Sequence, residues 1–139
     1  MTRLMGIDYG LKRIGLAMTD VLQIISSPFD TIESLSLKNN ALKILEIAKN
    51  NSVSMLVFGL PVNMNGTKGE MAEMIYSVVE EIKNFSDIKI ALVDERLTTA
   101  QAERVLVCEG NVPRQKRKWL KDKVSATLIL QMYLDTYRT

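Results

Sequence analysis

GIDYGLKRIGLA, residues 6–17, decides the fold. An apolar run that starts near Arg3 ends at Asp8. Tyr9-Gly10 then turns the chain, and a second apolar run follows. Glycine accepts the positive φ of a tight turn at no steric cost. The stretch therefore reads as two antiparallel strands, at 3–8 and 12–19. Gly15, inside the second, suggests a bulge or a close backbone contact. Asp8 is left at a strand end, held rigidly and open on one side. Such a carboxylate suits a hard divalent cation or the approach of a phosphate. A simple turn former is the plain alternative.

The chain continues in the same manner. Residues 25–32 read as a third strand, and Pro28 puts it at a sheet edge or a strand start. Leu42, Ile44, Leu45 and Ala48 share one face of a helix over 37–50, with Ser36 as its N-cap. Residues 53–58 form a buried strand stopped by Gly59-Leu60-Pro61. A turn-rich loop at 63–70 contains Asn63 and Gly66. Thr67 and Glu70 have capping-box spacing, so a second helix should run from there to about Asn84. Another strand, 88–93, ends at Asp94-Glu95. Thr98 and Gln101 repeat the capping-box spacing and open a helix to about Cys108, ended by Gly110 and Pro113. A basic segment and a last helix at about Lys121–Tyr133 complete the chain. The order βββαβαβαα predicts an α/β fold: one mixed five-stranded sheet with helices on both faces, in a single domain over 1–139.

Composition narrows the chemistry. There is no histidine and one cysteine, Cys108. Ser-His-Asp triads, Cys-His pairs and Cys/His zinc sites are excluded, as is an internal disulfide. A hydrolase built on this chain must use a carboxylate, a lysine or water activated by a metal. No apolar run reaches the roughly 18 residues of a membrane span. The N-terminus lacks a signal-peptide layout, so the cytoplasm is the expected location. Of 18 Lys/Arg and 16 Asp/Glu, 7 and 2 fall in residues 114–139, leaving 11 and 14 before them. The tail thus carries +5 and the rest −3. Arg114, Lys116, Arg117, Lys118, Lys121 and Lys123 crowd into ten residues. That asymmetry suggests a polyanionic partner, and a solvated basic loop is the bland alternative.

Open α/β sheets place ligands beyond the carboxyl ends of their strands. Asp8, the Gly59 loop and Asp94-Glu95 all follow strands directly. Asp122 opens the last predicted helix, with Ser125 and Ala126 on its face one turn on. Small residues there would let the helix approach the sheet and bring Asp122 into the same cleft. Asp8, Glu95 and Asp122 would then form an oxygen-only site of the kind preferred by Mg²⁺ or Mn²⁺. Two such ions about 4 Å apart can activate water and stabilise the leaving oxygen of a phosphodiester. The alternatives are a turn-forming Asp8, a helix-dipole role for Asp122 and an exposed charge cluster at 94–96.

GIDYGLKRIGLAMTD (6–20), FGLPVNMNGTKGEMA (58–72), VDERLTTAQAERVL (93–106) and KDKVSATLILQMYLD (121–135) together resemble the YqgF/RuvX family. Its members are described as pre-16S ribosomal RNA nucleases and, earlier, as Holliday junction resolvases. The resemblance covers essentially the whole chain. It implies a ribonuclease H-like fold and metal-dependent phosphodiester hydrolysis in the bacterial cytoplasm. The implied acids are Asp8, Glu95 and Asp122. Glu95 is preferred to Asp94 because consecutive strand-end residues point in opposite directions.

Lys12 and Arg13, just past the first turn, are placed to neutralise a phosphate. Arg114, Lys116, Arg117, Lys118 and Lys121 would give salt-sensitive, sequence-independent backbone affinity. Trp119 could stack on an unpaired base or anchor the last helix. The expected partner is nucleic acid, either precursor ribosomal RNA or branched DNA, bound by a monomer or homodimer. The expected activity is processing of the 5′ end of precursor 16S RNA. The alternatives are a junction-resolving endonuclease and a non-catalytic nucleic-acid-binding module. An actin- or Hsp70-like ATPase opens with a similar hairpin, but it needs two such domains and this chain has one hairpin.

Overall fold

The computed structural model describes residues 2–60, 69–94 and 114–137; the side chains of Asp94, of residues 114–123 and of Tyr137 lie outside that description. The opening hairpin forms from β1 (Arg3–Tyr9) and β2 (Arg13–Thr19), antiparallel, with Asp8 opposite Gly15 and Tyr9 opposite Ile14. Tyr9 is thus the last strand residue, and the reversal falls on Gly10-Leu11-Lys12. A Cβ at Gly10 would stand 2.5 Å from the Arg13 carbonyl oxygen, so a side chain there would block the turn.

β3 (Ser26–Glu33) pairs with β2 and is a sheet edge, as Pro28 implies. The register slips where Leu16 faces Asp30 and Ala17 faces Pro28. The irregularity therefore belongs to the proline, which has no N–H to give to the ladder, and not to Gly15. β4 (Val53–Leu60) and β5 (Lys89–Asp94) add in parallel, giving the order β3-β2-β1-β4-β5. β4 runs through Gly59 to Leu60, which pairs with Asp94.

Three helices are described. In α1 (Leu37–Asn50) the Ser36 hydroxyl accepts the Asn39 N–H at 3.2 Å, the expected cap. Leu42, predicted to face the core, is 41% exposed; Asn40, Ala41, Ile44 and Ala48 are the buried positions. α2 (Glu70–Phe85) starts two residues later than a capping box with Thr67 as N-cap would place it. Its N-cap is Gly69, which has no side chain to accept a backbone N–H, and Thr67 lies outside the described residues. Glu70 and Glu73 in the first turn instead complement the positive end of the helix dipole. α3 (Arg114–Tyr137) begins seven residues before the predicted Lys121. The segment read as a basic loop is helix because Arg, Gln, Lys and Leu are good helix formers and no Gly or Pro interrupts them. The helix predicted at 98–108 lies outside the described residues.

Strand alternation builds a core on each face of the sheet. Met5, Ile7, Tyr9, Ile14, Leu16, Leu56 and Phe58 pack against α1 and α2, chiefly Ala41, Ile44, Ile75, Val78 and Ile82. On the other face Leu4, Ala17, Val57 and Val93 meet Ala126, Ile129, Leu130 and Leu134 of α3. Buried Asn40 ties the first core to the strand end. Its Nδ2 donates to the Tyr9 hydroxyl (2.8 Å) and Ser34 Oγ (3.0 Å), and its Oδ1 accepts the Leu35 N–H (2.8 Å). A polar group satisfied so fully holds structure.

Candidate active site

Asp8 follows Leu4 and Gly6 on the alternating face of β1, which is the face that carries α3. Its neighbour across β2 is Gly15. Ile7 pairs with Phe58, so the next place beside Asp8 in β4 belongs to Gly59, which itself pairs with Val93 of β5. A row Gly15–Asp8–Gly59–Val93 therefore crosses the sheet, and the carboxylate is flanked on both sides by residues without a Cβ. Asp8 is half-buried, so part of it reaches solvent. A hard oxygen donor with room on either side fits a divalent cation.

α3 crosses this face at very short range. A Cβ on Gly6 would come within 2.7 Å of both the Ala126 carbonyl oxygen and Leu130 Cβ. The close approach expected from Ser125 and Ala126 thus occurs, and Gly6 is its counterpart on the sheet. Tyr133, further along α3, shares a hollow with Leu4, Ser54 and Lys89 at the amino ends of the strands. The helix therefore runs with its N-terminal part toward the Asp8 end. Position 122 lies one turn, about 6 Å, before Ala126. Asp8 lies two residues, about 6.6 Å, beyond Gly6. For a helix axis along β1 the two rises would put position 122 near the level of Asp8, on the stripe that continues through Ser125, Ala126 and Ile129. About two turns of helix precede Asp122, so it does not open α3, and the N-terminal dipole no longer accounts for an acid there.

Lys12 is in the hairpin turn, and Arg13 is the first residue of β2, half-buried and on the same face as Gly15 and Ala17. Arg114, Lys116, Arg117, Lys118 and Lys121 occupy the first turns of α3. Glu95, Asn63 and Gly66 lie outside the described residues, as does the Trp119 side chain. Among the described residues no three Asp, Glu or Cys side chains come together as a metal cluster.

Sequence reasoning missed Gly6 as a contact residue. The signal was present: it stands two residues before Asp8 and so on the same face.

Another acid of the opening block has a different task. Asp20 follows β2 at the far end of the sheet, where Leu4 N–H donates to Thr19 Oγ1. Its carboxylate accepts the N–H groups of Ile25 and Ile24, both at 2.9 Å, and of Leu22 at 3.2 Å. Those bonds, Ile25 first, hold its pKa below the usual carboxylate value. Asp20 fixes a loop and takes no part in the site.

A family model described as RuvX, Holliday junction resolvase, matches residues 2–136. A protein of Endomicrobium trichonymphae named "Putative pre-16S rRNA nuclease" is 64% identical over 97% of this chain and 96% of its own length. A protein of the same name from Thermoanaerobacter pseudethanolicus is 43% identical, with 98% of each chain covered. Among solved structures, Thermus thermophilus RuvC in complex with a Holliday junction substrate has a TM-score of 0.60 at 14% identity, covering 99% of this chain and 97% of its own. The Fowlpox virus resolvase with junction DNA has a TM-score of 0.61 at 13% identity, covering 99% and 100%. At such identities the likeness is one of fold, and it bears out the ribonuclease H-like architecture. A family match over nearly the whole sequence, supported by such close relatives, means that the chain belongs to the RuvX Holliday junction resolvase family.

Proposed function

We propose that this protein is a Mg²⁺- or Mn²⁺-dependent nuclease that trims the 5′ end of precursor 16S ribosomal RNA in the cytoplasm, with Asp8, Glu95 and Asp122 as its acids. The observation that supports the reading is the close packing of α3 on β1 at Gly6, with the N-terminal part of the helix toward the Asp8 end of the sheet. The names of the close relatives support precursor RNA as the substrate. Among the described residues no helix is long and apolar enough to cross a membrane.

Asp8 is the central donor, between Gly15 and Gly59. Ala91 and Val93 lie against the α3 face, so alternation along β5 favours Glu95 over Asp94 as the acid on that face. The bound ions would supply charge neutralisation at the scissile phosphate and activation of the attacking water. In this proposal Lys12 and Arg13 hold a neighbouring phosphate, and the sequence after Gly59, with Asn63 and Gly66, serves the same site. Arg114, Lys116, Arg117, Lys118 and Lys121 share a helix with Asp122 and extend about 12 Å along its axis. They track the RNA backbone and fix it relative to the acid. Arg117→Ala and Lys118→Ala are each expected to flatten the salt dependence of RNA affinity by about 0.7 in log–log slope, measured by titration at several salt concentrations.

The resolvase reading is favoured by the family description and by the two junction complexes of like fold. A resolvase would act as a symmetric dimer to make paired cuts, whereas RNA trimming needs only a monomer. Turnover on precursor 16S RNA and on a four-way DNA junction, side by side with and without Mg²⁺ or Mn²⁺, decides between them. Metal-dependent trimming of the RNA with little junction cutting is the expected result. Preferential junction cutting would establish the resolvase. Salt-sensitive binding with no cleavage of either would leave a binding module.

A further inference from the structure

We propose that Gly6 is a positioning residue: its missing side chain seats α3 on β1 and sets how closely Asp122 approaches Asp8. The inference rests on the three-acid reading above. A methyl group at Gly6 would meet the Ala126 carbonyl oxygen and Leu130 Cβ, each at 2.7 Å, with the Leu130 amide nitrogen at 3.5 Å. None of these atoms can swing away. Two belong to the helix backbone, and the third is fixed directly to it. Ordinary contact begins at 3.4 Å, so the helix would have to back off by about 0.7 Å or more.

β1 cannot yield instead. It is hydrogen-bonded between β2 and β4, and Met5 and Ile7 on either side of Gly6 are fully buried in the opposite core. The movement therefore falls on α3. That helix is pinned at the β3 side, where Ser26 Oγ donates to the Thr127 carbonyl oxygen at 2.9 Å and Ser26 N–H donates to Gln131 Oε1 at 3.2 Å. Pushing the helix off β1 at Ala126 and Leu130 while it is held at Thr127 and Gln131 on the β3 side rolls it about its axis and lifts it on the β1 side. The displacement then carries to position 122, one turn beyond the point of contact. Metal ligand distances tolerate only about 0.2 Å. Gly6 touches neither substrate nor ion in this scheme and acts wholly through α3.

The test is the affinity for Mn²⁺ alone, read by isothermal titration without substrate, beside the melting temperature. Gly6→Ala is expected to lower Mn²⁺ affinity by about tenfold or more, in the range found when residues that orient metal ligands are altered. Leu134→Ala loosens the same core at the end away from Asp8. It is expected to lower the melting temperature while keeping Mn²⁺ affinity. Wild-type Mn²⁺ affinity in Gly6→Ala overturns the proposal, as does equal loss in both variants. Ser26→Ala removes one pin of the helix without adding bulk and decides the matter where Gly6→Ala does not fold. Reduced Mn²⁺ affinity, by about twofold or more, supports the seat, and wild-type affinity overturns it. An Asp8→Asn variant that binds Mn²⁺ as well as wild type would overturn the three-acid site itself, a result separable from failure at Gly6 alone.

Discussion

Asp8→Asn is expected to lower metal-dependent RNA cleavage by about a thousandfold or more, with the melting temperature maintained. The amide keeps the shape of the carboxylate and one donor oxygen, but it loses the charge that holds a divalent cation. Metal ions stabilise phosphoryl transition states by several kcal/mol. Losing about 4 kcal/mol corresponds to roughly a factor of a thousand. The packing at this end of β1 comes from the neighbours Ile7 and Tyr9, and Asn keeps the size of the half-buried Asp8. Single-turnover cleavage of precursor RNA, with thermal melting of the same samples, checks both halves. A variant that cuts as fast as wild type would show that Asp8 is only a turn residue.

Phe58→Ala should do the opposite, damaging the fold and sparing the chemistry. Phe58 is fully buried and among the largest such side chains, in β4 between β1 and β5. It faces α1 and α2, away from Asp8. Truncating a buried Phe costs about 3–5 kcal/mol through lost burial and the cavity left behind. For a chain of this length that is a drop of roughly 10–20 °C in melting temperature. At temperatures well below the new transition, the rate constant for bound RNA should stay within about twofold of wild type, because the row Gly15–Asp8–Gly59 lies on the other face. A fall of only a few degrees would contradict the core assignment.

The hairpin was legible because two apolar runs, a glycine turn and a terminal acid all point to one geometry. Pro28 was legible for the same reason, as it can sit comfortably only at an edge. The start of α3 was not. Its first ten residues are dominated by charge, and charge predicts solvation more readily than backbone state. Helix propensity, which the charge pattern obscured, decided it. Leu42 misled because 3.6-residue spacing admits neighbouring stripes, and the sheet selected the one through Asn40, Ala41, Ile44 and Ala48. Gly15 and Gly6 are alike in sequence as glycines within strands. What separates them is a partner more than a hundred residues away, α3; the local spacing gives Gly6 its face but not that partner.

The tight seating of α3 has a consequence for how this protein fails. Among the described residues α3 is held to the sheet by Ala126, Ile129, Leu130 and Leu134, by the contact of its backbone with Gly6 and by the two bonds from Ser26. Opening free energies vary across a fold with the apolar contacts each unit must break. A helix held so closely across β1 and β3 is expected to open with the sheet and not ahead of it. Under heat or denaturant, loss of activity and loss of secondary structure are then expected to fall in one transition.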